Sequence, residues 1–214
     1  MEKIWIIGIG RFGLIAVDRL SKKYKNAHFV LADSENKKFE LIQYSNCSLE
    51  QTDGVKFLFE HLKQDNAPDW IIPALPVHLA AQWCLCSIGS DYIGRIDIPH
   101  EIDSSLPNPM RGPGGDIYVT HASFLCPDNC SEPEDICTVT KQKRKQNMFE
   151  LLEKIELHRF YSLVIQSHQL APGVGGFKPA QLFDLKNKIE QIQGKMLIST
   201  ACRCHGVITG VEKK

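Results

Sequence analysis

The chain has neither a long hydrophobic segment nor an excess of charge of either sign. No apolar run reaches the ~20 residues that a membrane-spanning helix needs, so we expect no direct membrane insertion. Lysine and arginine together number 25, as do aspartate and glutamate, and the formal net charge is zero. The chain as a whole therefore has no general electrostatic attraction for nucleic acid, and we expect no such partner.

The sequence signatures of several enzyme classes are also missing. There is no nucleophile elbow, P-loop, HExxH motif or Ser-His-Asp arrangement, which leaves no case for an α/β-hydrolase, a P-loop nucleotidase or a zinc protease. The first apolar run begins almost at the N-terminus, so we expect no secretory signal and a cytoplasmic protein.

Cysteine, in contrast, is plentiful, with eight residues. Thiols stay reduced in the cytosol, so disulfides are not their expected use. Cys47, Cys84 and Cys86 lie in or beside apolar strand and helix patterns, and we assign them to the core. The other five cysteines indicate metal ligation or redox chemistry.

The N-terminal stretch is the most informative part of the chain. The apolar run Ile4–Ile7 predicts a strand, and the periodic run that begins at Leu14 predicts a helix. Between them lies Gly8-Ile9-Gly10-Arg11-Phe12-Gly13. Strand, G-x-G-x-x-G and helix in this order form the fingerprint of dinucleotide binding.

Each glycine of this fingerprint has its own physical role. Gly8 allows a tight turn, Gly10 lets the backbone approach a pyrophosphate, and Gly13 lets the helix lie close to the sheet. The phosphates would face the positive end of the helix. We therefore assign the whole loop, with Arg11 and Phe12, to the cofactor.

The next predicted strand, His28–Ala32, ends at an acid, Asp33. A carboxylate about 20 residues after the glycines accepts hydrogen bonds from the adenosine ribose. Its charge would repel a 2′-phosphate, so we expect NAD rather than NADP. The Ser34 hydroxyl would also lie close to the ribose.

The pattern of strands and helices alternates as far as a predicted fifth strand, Tyr92–Ile98. Such alternation predicts an α/β fold, a doubly wound, Rossmann-like parallel sheet. Regular periodicity returns at Met148, so we predict a single domain over 1–214 with a cysteine-rich irregular insertion at about 99–146. The alternative is an NAD-binding domain over 1–99 followed by a small α/β metal-binding domain over 100–214.

The run Ile6-Ile7-Gly8-Ile9-Gly10-Arg11-Phe12-Gly13, with Asp33 at the end of the second strand, resembles the nucleotide-binding domain of potassium-transport regulators of the KTN, RCK or TrkA-N type. The resemblance covers roughly the first third of the chain. It implies binding of NAD, NADH or other adenine nucleotides and control of a membrane transporter. It also implies a homodimer or a larger ring.

The cysteines outside the apolar patterns lie in two groups. Cys126, Cys130 and Cys137 form a C-x3-C-x6-C run within the insertion, and Cys202-Arg203-Cys204-His205 lies near the C-terminus. Close thiolates in loops suit a metal, whose binding energy replaces a missing apolar core. Zinc and a [4Fe–4S] cluster both take four cysteines, and the adjacent Pro127 favours the cluster. The fourth ligand is left open among Cys202, Cys204, His121, His168 and His205.

These patterns are consistent with two main functions. The first is an NAD(H)-binding redox protein, an NAD-dependent oxidoreductase acting on an unknown small molecule, with its metal centre near the nicotinamide. His168, expected at the same sheet edge, is the candidate for proton transfer. The second is a non-catalytic module that senses NAD and NADH, with a structural zinc. A third, a metal- or tetrapyrrole-handling protein that uses NAD, has no residue that requires it.

Overall fold

The computed structural model describes the whole chain, residues 1–214, as a mixed α/β fold. Its first sheet contains four parallel strands in the order β3-β2-β1-β4. The elements of this half are, in chain order, β1 (Lys3–Ile7), α1 (Arg11–Lys23), β2 (His28–Asp33), β3 (Cys47–Gln51), α2 (Gly54–His61), β4 (Trp70–Pro73) and α3 (Leu79–Ile88). The predictions of a strand at Ile4–Ile7, a helix after the glycines and a strand ending at Asp33 are confirmed.

The central strand of this sheet is β1. It carries a continuous apolar run, and all of its residues from Ile4 to Ile7 are buried, as expected for a parallel strand covered on both faces. Ile7 pairs with Ala32 of β2 and with Pro73 of β4. The carboxyl ends of these three strands therefore lie together at one edge, where the glycine run follows β1.

The second half of the chain forms a separate six-stranded sheet. Its path is β6-β7-β12-β11-β8, and β5 also pairs with β12. Only β8 and β11 run parallel. The elements are β5 (Ile93–Arg95), β6 (Met110–Arg111), β7 (Ile117–Thr120), α4 (Met148–Glu153), β8 (Phe160–Gln166), β9 (His168–Ala171), β10 (Val174–Gly176), α5 (Pro179–Gln191), β11 (Gly194–Ala201) and β12 (His205–Lys213).

The alternation of elements predicted one parallel sheet through the whole chain, and the structure differs from this. The last strand shows the physical reason. Only the turn Cys202–Cys204 separates β11 from β12, whereas a parallel neighbour needs a crossover of about a dozen residues. β12 therefore returns antiparallel to β11. The expected insertion at 99–146 is also partly regular, because β6 and β7 join the second sheet, and the segment without helix or strand is 121–147.

Two connections have local structure of their own. After β2 only a 3-10 turn forms, at Asn36–Leu41. None of its residues is buried, and a helix without a packed apolar face has little to stabilise it. The segment after β8 is the β9–β10 hairpin, and Phe177 after it forms a bridge with Ile71 of β4.

A single hydrophobic cluster connects the two sheets. It contains 22 buried residues, among them Trp5 and Ile7 of the first sheet, Met196 and Ile198 of the second, and side chains of α2, α3 and α5. Smaller clusters cover the outer faces, one beneath α1 and one beneath α4. No helix of the structure is both long and apolar enough to cross a membrane.

Candidate functional site

The three glycines of the N-terminal turn have three different geometries. Gly8 has φ +99°, and a Cβ there would lie 2.7 Å from the carbonyl oxygen of Ala74. A Cβ at Gly13 would collide with the carbonyl oxygen of Gly8. A Cβ at Gly10 would meet nothing within 4 Å. These are the tight turn, the close helix packing and the open backbone that the fingerprint requires.

The first turn of α1 begins directly after Gly10. Helix amides in a first turn have no partner inside the helix and attract anions. Arg11 and Phe12 occupy this turn, both exposed, with the guanidinium carbon of Arg11 5.9 Å from the centroid of the Phe12 ring. Arg11 pairs with Asp128 of the distant segment 121–147.

Asp33 lies beside the glycine turn, but its carboxylate already has protein partners. It accepts hydrogen bonds from the backbone N–H of Ile9 at 2.6 Å and of Glu35 at 2.9 Å, and the Lys38 ammonium lies at 3.2 Å. Burial acts to raise the pKa of Asp33, but the two amides and Lys38 together lower the pKa below its usual value. Asp33 thus fastens the turn to β2 as an anion, and Ser34 next to it is exposed.

The segment 121–147 is fastened to the glycine-turn helix. The carbonyl oxygen of Asp128 accepts a hydrogen bond from Arg19 of α1 at 2.6 Å. The same guanidinium donates to the carbonyl of Pro172, in the turn of the β9–β10 hairpin. The amide of Gly173 in that turn donates to the carbonyl of Cys130 at 3.0 Å. The cysteine-bearing segment, the hairpin turn and α1 therefore meet at one place.

Four of the predicted metal ligands influence one another. Burial raises the pKa of the Cys126 thiol, and the nearby thiols of Cys130, Cys204 and Cys137 raise the pKa further. The Sγ of Cys130 accepts a hydrogen bond from the amide of Glu132 at 3.4 Å. As they stand, no three His, Cys, Asp or Glu side chains are arranged so that they could hold a metal ion.

Cys204 and Cys137 each have donors directed at their sulfur. The Sγ of Cys204 lies 3.1 Å from Nη2 of Arg144. Burial raises the pKa of Cys204, and Arg144 opposes this shift. Donors from Thr140 and the amide of Val139 lower the pKa of the Cys137 thiol. Hydrogen bonds and cations of this kind favour the thiolate, the form that ligates metals.

Cys202 belongs to a different environment. Its Sγ accepts hydrogen bonds from the amides of Cys204 and His205, each at 3.4 Å, and lies 3.8 Å from Nδ1 of His205. Burial raises the pKa of Cys202 above its usual range, and the carboxylate of Glu132 raises the pKa further. Glu132 itself accepts a hydrogen bond from the amide of Arg203 at 2.7 Å. The two amide donors act to lower the pKa of Cys202, but burial and Glu132 outweigh them.

Two of the three histidines that were alternatives for the metal, His168 and His121, lie in different surroundings. His168 is on β9 with its ring edge-on to Trp70 at 5.8 Å, and Trp70 pairs with Ile4 at the other end of β1 from the glycine turn. The hairpin turn, and not His168, reaches the edge where the cofactor was expected. Nε2 of His121 is buried without a hydrogen-bond partner, and the His121 amide donates to the carbonyl of Cys204.

Two features have no signature in the sequence. Asp128 and Glu132 of segment 121–147 make specific contacts. His78 is fully enclosed, with its ring nitrogens 2.7 Å from the Thr209 hydroxyl and 2.9 Å from the Thr200 hydroxyl. Desolvation lowers the pKa of His78 to about 4. The two threonines are diagonal neighbours on β11 and β12, where Thr200 pairs with Val207 and Thr209 pairs with Ile198.

Two comparisons with known proteins gave a match, one over the C-terminal part of the chain and one over nearly all of it. A family model described as "Uncharacterized protein, C-terminal domain" matches residues 80–214. The chain belongs to this family. The matched residues include the whole second sheet and all the candidate metal ligands, whereas the glycine turn lies outside them. A protein of Archaeoglobus fulgidus, described as an uncharacterized protein, is 29% identical over 224 residues, which is 97% of this chain and 98% of that protein. No solved structure matches.

Proposed function

We propose that the protein binds NAD(H) at the glycine turn and acts as a redox protein, an NAD-dependent oxidoreductase for a small molecule. The observation that carries this proposal is the geometry of the three glycines. Only Gly10, the one that must face the pyrophosphate, has open space where a side chain would be. The β6–β7 turn has the same open space at Gly114, so the support comes from the position of Gly10 between the carboxyl end of β1 and the first turn of α1.

The strand order supports the same proposal. The order β3-β2-β1-β4 is that of the nucleotide-binding half of a doubly wound, Rossmann-like fold. In such a fold the ligand lies outside the carboxyl ends of the strands, where the order reverses, which here is between β1 and β4. When bound, NAD would supply hydride transfer. The residues of the chain would bind the phosphates at Gly10 and α1 and hold the adenosine near β2.

The neighbours of Asp33 bear on the choice between NAD and NADP. The carboxylate disfavours a 2′-phosphate, but the Lys38 ammonium also lies within 2.8 Å of Glu35 at the same place. The Lys38 ammonium at this place could bind the 2′-phosphate of NADP. We keep NAD as the expected ligand because Asp33 is held as an anion, and both dinucleotides belong in the binding experiment.

The decisive variant is Gly10→Ala. Its backbone, at φ −79° and ψ −166°, suits any residue, and its Cβ would meet no protein atom. The variant should therefore fold with unchanged thermal stability. It should bind NADH at least about tenfold more weakly, a loss of roughly 1.4 kcal/mol, because the Cβ occupies the path of the pyrophosphate. Calorimetric titration of both proteins with NAD, NADH and NADPH measures this.

The matched control is Gly114→Ala. A Cβ at Gly114 also meets nothing within 4 Å, but Gly114 lies in the β6–β7 turn, far from the glycine run in the chain. This variant should bind dinucleotide as the wild type does. Equal affinities of wild type and Gly10→Ala would contradict the proposal, as would an absence of binding by the wild type.

A sensing module of the kind found in potassium-transport regulators is the second candidate. One observation favours it. Two cavities, of about 570 and 520 Å³, lie at the start of β11 and at the start of α5, away from the glycine turn. Different affinities for NAD and NADH without turnover would favour sensing, whereas steady consumption of NADH with an added small-molecule acceptor would favour catalysis.

A further inference from the structure

The segment 121–147 is ordered without a hydrophobic core. It contains no helix or strand, and none of its residues is buried. Its large apolar side chains face solvent, with Leu125 97% exposed and Ile136 and Val139 about half exposed. Segments of this length without secondary structure are uncommon inside a compact domain. Its conformation therefore needs a source of stability other than apolar burial.

The cysteines of this segment meet the turn between β11 and β12. The amide of His121, where the segment begins, donates to the carbonyl of Cys204 at 2.9 Å. Arg144, near the end of the segment, donates to the Sγ of Cys204 and to the carbonyl of Glu134 at 2.5 Å. Cys204 is thus enclosed by the two ends of the segment that carries the other three thiols.

We propose that Cys126, Cys130, Cys137 and Cys204 form a four-thiolate site for a thiophilic metal centre, which fastens segment 121–147 to the β11–β12 turn. All four are partly exposed and lie outside helices and strands. The hydroxyl of Thr138, next to Cys137, lies 3.4 Å from the Sγ of Cys130, and Arg144 of the same segment contacts the Sγ of Cys204. Metal binding requires the four sulfurs to turn toward one another, since no three of them are arranged to hold a metal as they stand. Zinc and an iron–sulfur cluster share this ligand chemistry. The site does not depend on nucleotide binding.

Cys204 is the fourth ligand in preference to Cys202, two residues away. The two sulfurs face different parts of the molecule. The Sγ of Cys204 lies 3.1 Å from Nη2 of Arg144 and so faces segment 121–147. The Sγ of Cys202 faces its own turn, where it accepts hydrogen bonds from the amides of Cys204 and His205.

Metal analysis of the full chain, purified without oxygen, tests the site. About one zinc per chain without colour, or about four irons with sulfide and a broad visible band, would each support it and would identify the metal. Protein that retains no metal as purified and takes up neither zinc nor a reconstituted cluster would overturn it.

Two neighbouring variants test the ligand assignment. Cys204→Ser should lose at least about nine-tenths of the metal, because three thiolates hold these centres far less tightly than four. Cys202→Ser should retain all of it, as should Cys86→Ser on α3. Retention by Cys204→Ser with loss from Cys202→Ser would overturn the assignment.

A conservative variant separates ligand loss from misfolding. Cys204→His offers a nitrogen ligand that zinc accepts in a set of three cysteines and one histidine. If zinc is the metal, Cys204→His should recover binding that Cys204→Ser lacks. If iron is the metal, alkylation should label the other three thiols in Cys204→Ser and spare them in the wild type. Equal labelling in both proteins would count against the site. NADH titration of the same proteins shows separately whether the glycine turn functions.

Discussion

His78 shows how the fold determines the hydrogen bonds and the protonation of a single side chain. It precedes α3, and its ring joins the two halves of the molecule through hydroxyls of β11 and β12. The Thr209 hydroxyl also donates to Asp116 at 2.5 Å, and Asp116 pairs with Arg95. A buried chain of polar groups is stable only while every member has a partner. A positive charge on the imidazole would disturb it, since both ring nitrogens would become donors.

The stability of the protein should therefore fall as His78 becomes protonated. The pKa of His78 is lowered to about 4 in the folded state from an ordinary value of 6.5. Between these values the unfolded chain binds more protons, so the free energy of unfolding decreases as the pH falls from 7 to 4, by about 3 kcal/mol from this group.

Urea unfolding of wild type and His78→Gln at several pH values would measure this. The variant should be less stable at pH 7, because a fully enclosed ring is lost. Between pH 6 and 4, its unfolding should take up about one proton fewer than that of the wild type, so its stability should depend less on pH. Parallel pH profiles for the two proteins would show that another group dominates.

At the scale of elements, the notable arrangement is the contact between α1 and segment 121–147. Arg11 stands at the start of α1, where a cation would serve the cofactor phosphates, but it is engaged with Asp128. Arg19 of the same helix donates to the carbonyl of Asp128. A dinucleotide and the carboxylate of Asp128 would thus compete for one guanidinium. The segment that carries the thiols is in this way connected to the proposed nucleotide site.

Replacing Asp128 by Asn should strengthen NADH binding. The Arg11 side chain is 73% exposed and that of Asp128 is 34% exposed, and a pair of this kind contributes at most about 1 kcal/mol. The gain in affinity should therefore be no more than about fivefold, and it should shrink at high salt.

Asp135→Asn removes the same charge elsewhere in the segment and is the matched control. It should leave the affinity for NADH unchanged. An unchanged or weaker affinity in Asp128→Asn would show that Arg11 does not contact the phosphates, without affecting the Gly10 experiment.

For the whole molecule, the decisive feature is the core that the two sheets share. Trp5 of β1 and Met196 of β11 belong to the same buried cluster, so the half that contains the glycine turn and the half that the family model matches are packed together. Phe177, fully buried in this cluster, follows the hairpin and also bridges to β4. Removal of its ring would leave a cavity at the junction.

Phe177→Ala should lower the free energy of unfolding by about 3–5 kcal/mol. Both sheets should still unfold in one transition, since neither retains its main core without the other. Phe59→Ala, at a half-exposed position on α2, should cost much less. Calorimetry with tryptophan fluorescence and circular dichroism on the same samples checks this, and two separate transitions would contradict a shared core.

Local features of the chain were readable from the sequence because their causes are local. The glycine turn, β1, the strand ending at Asp33 and α1 follow from an apolar run, three glycines and a helical period within about thirty residues. The short connection at Cys202–Cys204 also determined that β11 and β12 are antiparallel, although the alternation of elements suggested otherwise. The β9–β10 hairpin could have been expected from its central Pro172-Gly173 pair.

What only the tertiary structure decided is which distant residues meet. The sequence determined that five cysteines lie outside the core pattern, but it left Cys202 and Cys204 equivalent. Their difference arises from Arg144, which contacts the Sγ of Cys204 from a segment 60 positions away in the chain, whereas the Sγ of Cys202 faces its own turn. The contact of Asp128 with Arg11 and the contacts of the two threonines with His78 also join residues that are distant in the chain. Pattern and spacing act along the chain, whereas charge, burial and hydrogen bonding act through space, so the site's electrostatics could be known only after folding.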